Sequence, residues 1–279
     1  MAKLTLLGLP LGNIEDLTAR ALEGLKSGEL FICEDTRNLI KIFGHLKIST
    51  QSKKLISYHE HSTEHDLDRT IKTIKDYPQA YMVSDAGSPI ISDPAYPLIR
   101  GCLEKGIEID SFPGPTSPIT ALELAGLPPQ PCMIHGFFPR DSEKRKDKIE
   151  FAGSRSMTHI FFESPYRVME TLELLCNEFP GGRFCLAREL TKLFQQVVRF
   201  KGDEFSSIAD QITLKGEMVI VFYIDVKESR RSDKKLTDLA QKVLEQAGKK
   251  KIVAKLVAEI LGENPKNIYQ KLIDGPGEK

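Results

Sequence analysis

The sequence predicts an α/β fold with two lobes and a small helical extension at the C-terminus. Short apolar strands alternate with amphipathic helices, and each strand ends in a loop of small or polar residues. Residues 126–131 are rich in helix and strand breakers, and a second series of strands follows them. A charged run at 227–235 precedes a tail with little strand potential. We therefore expect lobes at 1–128 and 129–227 and a linker with a helical tail at 228–279.

Composition and charge narrow the class of protein. The chain has 279 residues, of which 41% are hydrophobic and 28% charged, which is typical of a globular protein. Its longest apolar stretch, Met218–Ile224, is far shorter than the roughly 18 residues that cross a bilayer. No secretory signal pattern is visible either, so we expect a cytoplasmic protein without a membrane partner. The net charge of zero argues mildly against a nucleic-acid partner. Basic clusters at 144–146 and 249–251 are nevertheless compatible with one.

The first half contains five predicted strands, at residues 4–7, 31–33, 55–58, 81–84 and 107–112. A helix is expected directly after the first loop, because Asn13 has an N-capping side chain and apolar residues recur at helical spacing from Ile14 to Leu25. Another helix is expected at 64–76. Parallel sheets of this kind bind ligands beyond the carboxyl ends of their strands.

The second half repeats the pattern. Strands are predicted at residues 132–137, 157–163, 183–188, 194–201 and 217–225, and the clearest helix is predicted at 166–178. The tail is expected to form three short helices, at 236–247, 251–262 and 265–273.

The glycine loop after the first strand does not match a known nucleotide fingerprint. Gly8 and Gly12 are too far apart for the dinucleotide motif, and no P-loop sequence is present. Glycines at a strand end nevertheless let the backbone approach a ligand closely.

Two acidic loops are stronger candidates for a site. Asp85 and Asp93 either accept hydrogen bonds from a ligand's amine or ribose, or cap the turn and the next helix. Glu34, Asp35 and Arg37 either handle protons and contact phosphate, or cap a helix and form a surface ion pair between Arg37 and Glu34.

No metal site is expected. His59, His61 and His65 lie in one polar segment, but a zinc site needs ligands that converge tetrahedrally and no cysteine is near. A serine-based hydrolytic triad is not indicated either, since Gly-x-Ser-x-Gly is absent.

Together these loops resemble one family, the bacterial methyltransferases that modify a cytidine ribose 2′-hydroxyl in small-subunit (16S) ribosomal RNA, within the tetrapyrrole methylase superfamily. The order and spacing of many short motifs over most of the chain make the resemblance specific. The matching stretches are LPLGNIEDLT at 9–18, CEDTR at 33–37, SYHEH at 57–61, SDAGSPIISDP at 84–94, FPGPTS at 112–117, GFFPR at 136–140, FESPYR at 162–167, RELTK at 188–192 and KGE at 215–217.

The resemblance implies two α/β lobes that hold S-adenosylmethionine between them, usually in a homodimer. From the first lobe the cofactor would contact Leu11, Asp85, Gly87, Ser88, Ile90, Thr116 and Ser117. From the second lobe it would contact Phe162, Ala187, Gly216 and Glu217. The other partner would be small-subunit ribosomal RNA or the 30S particle.

Methyl transfer to a ribose hydroxyl needs in-line positioning and a group that takes the hydroxyl proton. The residues expected in catalysis are Glu34, Asp35, Arg37, Glu189 and Lys192. Arg167 and Arg188, together with Arg37, are expected to contact phosphate or the flipped nucleotide. Two alternatives remain that have the same fold: a tetrapyrrole methyltransferase and a noncatalytic ribosome-binding protein.

The chain departs from the family pattern after the Leu-Thr-Lys segment. Relatives often carry acidic residues there, whereas this chain has Gln195 and Gln196. A carboxylate role at this point would therefore be absent or taken over by an amide.

Overall fold

The computed structural model describes residues 2–93, 95–226, 250–261 and 264–274. Two five-stranded sheets with flanking helices make up the part up to residue 226, which confirms the predicted α/β class.

The first sheet is entirely parallel, with strand order β3-β2-β4-β1-β5. Its strands are β1 (Lys3–Leu7), β2 (Leu30–Cys33), β3 (Lys54–Ser57), β4 (Gln79–Val83) and β5 (Glu108–Phe112). Strands β2 and β4 are almost entirely buried, as expected for a sheet covered by helices on both faces. All five carboxyl ends therefore lie at one edge, where the sequence places its acidic loops.

The second sheet is mixed, with strand order β6-β7-β10-β8-β9. Its strands are β6 (Cys132–Phe137), β7 (Met157–Glu163), β8 (Arg183–Arg188), β9 (Gln196–Lys201) and β10 (Met218–Ile224). Because β10 is antiparallel to both β7 and β8, the carboxyl ends of β7 and β8 share an edge with the start of β10. A register shift interrupts β6 between Ile134 and Phe137, and Gly136 there has a φ of 76°.

The helices up to residue 226 are α1 (Ala19–Ser27), α2 (Thr36–His45), α3 (Glu64–Lys75), α4 (Ala95–Glu104), α5 (Ser117–Ala125), α6 (Ser142–Gly153), α7 (Val168–Glu178) and the short α8 (Phe205–Ile208). The prediction that one helix starts directly after Asn13 is wrong about where the helix starts. Asn13 caps a single 3-10 turn, Ile14–Asp16, and α1 starts separately after Thr18. The reason is local, because the Thr18 side chain accepts a hydrogen bond from Ala21 N–H and forms its own N-cap.

The two sheets meet through one apolar core. Leu11 and α5 from the first half pack against Ala187, Leu190 and Val219 from the second. Polar contacts join the same surfaces, since Asn13 N–H donates to Thr191 Oγ1 at 3.0 Å and Arg199 Nε donates to the carbonyl of Leu124 at 2.8 Å. The loop edges of both sheets are thereby held close together.

Two helices of the tail, Lys250–Leu261 and Pro265–Asp274, pack on each other through Ala254, Val257, Ala258, Ile268 and Leu272. The helix expected at 236–247 lies outside the described residues. The lobe boundaries expected after residues 128 and 227 stay a prediction. None of the helices in the described ranges is long and apolar enough to cross a membrane.

Candidate functional site

A cavity of about 280 Å³ lies where the loop edges of the two sheets face each other. The first half lines it with Leu11, Ala86, Ile91, Ser92, Asp93 and Ser117. The second half lines it with Phe137, Phe162, Glu163, Leu190, Glu217, Met218 and Val219. The lining thus combines apolar residues with three acidic ones, and no lysine or arginine is among these residues.

The residues expected to hold a cofactor converge on this cavity. Four of them, Leu11, Ser117, Phe162 and Glu217, line it directly. The others sit beside lining residues in the chain or the sheet: Asp85, Gly87, Ser88 and Ile90 flank Ala86 and Ile91, Thr116 precedes Ser117, Gly216 precedes Glu217, and Ala187 pairs with Val219 across β8 and β10.

Glycines allow the loops at the carboxyl ends of the first-sheet strands to pack against one another. A Cβ on Gly8 would lie 2.9 Å from both Cα and N of Gly114, so the two backbones are in contact. Gly87 has a φ of 73°, and its carbonyl accepts a hydrogen bond from Leu9 N–H at 2.9 Å. The glycine loop is therefore fastened to the Asp85 loop and places Leu11 at the cavity.

Asp35 is committed to local structure. Its carboxylate caps α2 by accepting from Arg37 N–H at 2.8 Å, and it pairs with Arg37 Nη2 at 2.6 Å. Hydrogen bonds from the Arg37 side chain and backbone lower the pKa of Asp35 to about 2. A carboxylate with so low a pKa is a weak base at neutral pH. The expected surface pairing of Arg37 with Glu34 is wrong, because Asp35 is closer to Arg37 and is fixed by the cap.

Glu34 and Asp93 differ from Asp35 in having no hydrogen bond to their carboxylates from any described residue. Burial, followed by the charge of Asp85, raises the pKa of Glu34. Burial, followed by the charges of Glu34 and Asp85, raises the pKa of Asp93 to about 7. Asp85 itself accepts a hydrogen bond from Asn38 Nδ2 at 2.8 Å.

Glu189 and Lys192 form part of a braced turn. Glu189 accepts from Glu217 N–H at 2.9 Å and from Lys192 Nζ at 3.0 Å, and Lys192 also pairs with the Glu217 carboxylate at 3.1 Å. Burial alone would raise the pKa of Glu189, but these hydrogen bonds outweigh it and the pKa is lowered. Burial alone would lower the pKa of Lys192, but its two carboxylate partners reverse this and the pKa is raised. Both groups are therefore charged and paired.

The backbone of this turn is strained. Glu189 has a φ of 49° and Thr191 a φ of 63°, in the left-handed region that L residues rarely adopt. Such conformations persist where surrounding contacts enforce them, and they are frequent at functional sites. Here the contacts come from both halves, because the Lys192 side chain packs directly over Gly12 and Asn13 binds Thr191.

Arg188 faces the protein interior. The side chain is 7% exposed, and its guanidinium donates to the carbonyls of Lys215 and Phe194. Gln195 and Gln196, at the predicted departure from the family pattern, have similar bracing roles. Gln195 accepts from Thr191 N–H at 2.7 Å, and Gln196 binds the backbone of Gln211 and Thr213.

Arg167 also points inward. Its Nη2 pairs with Glu163 at 2.6 Å, and the exposed fractions of the two side chains are 18% for Arg167 and 0% for Glu163. Glu163 accepts two further hydrogen bonds, from Ser164 N–H at 2.7 Å and Thr171 Oγ1 at 2.8 Å. Arg167 and Arg188 therefore hold the second-sheet loops in place. Of the three arginines predicted to contact phosphate or the nucleotide, Arg37 is the one that faces solvent, with 84% of its side chain exposed.

Several cavity residues were not singled out from the sequence as ligand contacts. They are Ala86, Ile91, Ser92, Phe137, Glu163, Leu190, Met218 and Val219, and Asp93 was weighed as a ligand contact or a helix cap. All but Met218 and Val219 fall within the motifs that carry the family resemblance. The motifs therefore indicated the right loops, but not which of their residues line the cavity. Within the described part of the chain, no cluster of three His, Cys, Asp or Glu residues is arranged to hold a metal ion.

Comparison with known proteins identifies the class. The tetrapyrrole (corrin/porphyrin) methylase family matches residues 3–206. A solved uroporphyrin-III C-methyl transferase from Thermus thermophilus, complexed with S-adenyl homocysteine, superposes with a TM-score of 0.55 at 14% identity, over 81% of this chain and 99% of that one. The chain belongs to the tetrapyrrole methylase family, as its two-sheet α/β fold indicates.

Relatives over nearly the full length narrow this further. A protein of Streptococcus pyogenes serotype M3, named ribosomal RNA small subunit methyltransferase I, is 34% identical over 97% of this chain and 94% of its own length. A protein of Vibrio cholerae serotype O1 with the same name is 36% identical over 96% of this chain and 93% of its own.

Proposed function

We propose that this protein is a cytoplasmic enzyme that transfers a methyl group from S-adenosylmethionine to the ribose 2′-hydroxyl of a cytidine in small-subunit (16S) ribosomal RNA. The main support is the similarity over 96% or more of the chain to proteins named for methylation of that RNA. The resemblance of the motifs supplies the cytidine and the 2′-hydroxyl.

The cavity fits the proposed donor. S-adenosylmethionine carries a sulfonium and an ammonium group, and no lysine or arginine is among the residues that line the cavity to repel them. A phosphate-bearing nicotinamide dinucleotide would find no cation among the same residues. When bound, the donor supplies a methyl group on a positively charged sulfur.

Residues of both halves would hold the donor. Leu11, Phe162 and Val219 offer apolar surface for its base. Ser117 starts α5 at the cavity wall, where no side chain caps the helix, and a free helix N-terminus favours a carboxylate such as that of the donor's methionine. Glu217 lines the opposite side, where its carboxylate is paired with Lys192.

The rim of the second sheet suits an RNA base. Four large apolar side chains near its loop edge are exposed: Tyr166 by 96%, Leu193 by 90%, Phe194 by 68% and Phe137 by 61%. Unpaired bases of RNA are commonly stacked on aromatic side chains. Arg37, exposed at the edge of the first sheet, would contact phosphate.

Positioning carries much of the proposed mechanism. The donor and the nucleotide have to be aligned at one place, and the braced turn at Glu189 and Lys192 fixes the wall of the cavity on the side of the second sheet. We infer a homodimer from the resemblance, which light scattering coupled to gel filtration tests directly.

Mass spectrometry of small-subunit ribosomal RNA, from cells with and without this gene, tests the proposal. Loss of one cytidine ribose methyl supports it, and unchanged ribose methylation refutes it. Calorimetry with S-adenosylmethionine and methylation assays with uroporphyrinogen separate the alternatives. Absent donor binding would favour a noncatalytic binding protein, and methylation of the tetrapyrrole would favour a small-molecule enzyme.

A further inference from the structure

Most carboxylates around the cavity already have strong partners. Asp35 is held by Arg37, Glu163 by Arg167 and Thr171, and Glu189 by Lys192. A carboxylate held by cations and N–H donors is stabilised in its ionised form and takes up a proton poorly near neutral pH. Asp35 and Glu189, whose pKa values are lowered, are therefore unsuitable as proton acceptors, and the oxygens of Glu163 are occupied by Ser164, Arg167 and Thr171.

Asp93 has two properties that no other carboxylate lining the cavity, and no other unbonded one beside it, has together. It lines the cavity, and no described residue donates a hydrogen bond to its carboxylate. Glu34 shares the second property but does not line the cavity. The turn that presents Asp93 is strained, since Ser92 next to it has a φ of 64°.

We propose that Asp93 accepts the proton of the ribose 2′-hydroxyl during methyl transfer, an inference that rests on the function proposed above. As the 2′-oxygen forms its bond to the methyl carbon, the carbon–sulfur bond breaks with its electron pair left on sulfur, and the hydroxyl proton moves to a carboxylate oxygen of Asp93. Release of that proton to water restores the carboxylate.

The unpaired charges that act on Asp93 come from the first sheet. The charges of Glu34 and Asp85 act on it from the first sheet, and Glu163 and Glu217, which line the same cavity from the second, are paired with Arg167 and Lys192. Together with burial, the first-sheet charges raise the pKa of Asp93 to about 7. A general base is most effective when its pKa lies near the working pH.

The first test is Asp93→Asn in methyl transfer to small subunits that lack the modification. The amide keeps the shape of the side chain but is not a base, so kcat is expected to fall by about 100-fold or more. Binding of S-adenosylmethionine, measured by calorimetry, is expected to stay within a few-fold of wild type. Asp203→Asn, at a distant surface loop, is the matched control.

The outcomes separate this inference from the proposed function. A wild-type enzyme that methylates the RNA while Asp93→Asn keeps its kcat overturns the inference alone. Loss of donor binding in Asp93→Asn also overturns it, because the residue would then hold the donor. A wild-type protein that transfers no methyl group to RNA overturns the proposed function.

The second test needs no turnover. In protein with ¹³C-labelled aspartate carboxyls and no donor, the resonance that Asp93→Asn removes is expected to titrate near pH 7. Glu34→Gln is expected to move that midpoint to lower pH, because it removes a facing negative charge. The pH profile of kcat should shift in the same direction. A midpoint near the ordinary aspartate value, or one that Glu34→Gln leaves unmoved, contradicts the proposal.

Discussion

The two edges that form the cavity use their carboxylates differently. On the second sheet, Glu163 and Glu189 are bound by cations and backbone N–H groups and brace the loops. On the first sheet, Glu34 and Asp93 have no hydrogen-bond donor among the described residues, and both have raised pKa values. The same residue types thus supply rigidity on one side and proton affinity on the other.

This difference teaches how to assign roles to acidic residues at such a site. A carboxylate that is fully bonded stabilises structure, and its removal is expected to cost stability. A carboxylate that is desolvated and repelled by neighbours costs stability itself, and its removal is expected to cost activity. The following variants test that distinction.

Glu163→Ala is expected to have the largest effect on stability. It removes one member of a buried ion pair and leaves the Arg167 charge without its partner, which costs about 3–5 kcal/mol. Denaturant unfolding followed by circular dichroism measures the change. Glu170→Ala, which removes an exposed partner of Arg145, is the control and is expected to cost about 1 kcal/mol or less. Equal losses in the two variants would contradict the bracing role of Glu163.

Gly8→Ala comes next. The added methyl group would press on the backbone of Gly114, and overpacking of this kind costs about 1–3 kcal/mol. Because the same loop places Leu11 at the cavity, affinity for S-adenosylmethionine is also expected to fall. Gly44→Ala is the control, since a Cβ there meets nothing within 4 Å and alanine favours the helix by up to about 1 kcal/mol. Normal donor affinity in Gly8→Ala would show that the loop does not shape the site.

Asp93→Asn is expected to raise stability in a pH-dependent way. The folded-state pKa of Asp93 is about 7, above its ordinary value of 3.8, so the folded protein holds a proton that the unfolded chain releases. Stability is therefore lost as pH rises from 3.8 through about 7, and asparagine avoids that loss. Calorimetric melting at pH 5 and pH 8 is expected to show a larger gain at pH 8. A gain that is equal at the two pH values, or larger at pH 5, would contradict the raised pKa.

Arg37→Ala is expected to change stability least, because the Arg37 side chain is 84% exposed. The pKa of Asp35, which Arg37 holds at about 2, is expected to rise toward its ordinary value. The stability that this pair contributes is present above the ordinary aspartate pKa and is lost as pH falls through about 2. Carboxyl ¹³C titration measures the shift, and an unchanged Asp35 midpoint would show that the helix cap, not Arg37, sets it.

The sequence was sufficient for the alternation of strands and helices, because apolar periodicity and strand-end loops are local signals. The break between Asn13 and α1 was not predictable from periodicity, since it depends on the competing cap at Thr18. The loops that meet at the cavity were predictable as motifs.

Side-chain roles within those motifs were harder to predict. Nothing in the sequence separates the exposed Arg37 from Arg167 and Arg188, which bind groups of the second-sheet loops. The contrast between Asp35 and Asp93 likewise depends on which donors lie nearby, and only tertiary structure supplies that.

Hydrogen exchange with and without S-adenosylhomocysteine tests most directly whether both edges share one ligand. We predict slower exchange at residues 85–93 of the first sheet and at 187–190 and 216–219 of the second, with no change in the two C-terminal helices. Protection of one edge alone, or of neither, would contradict a donor site between the sheets.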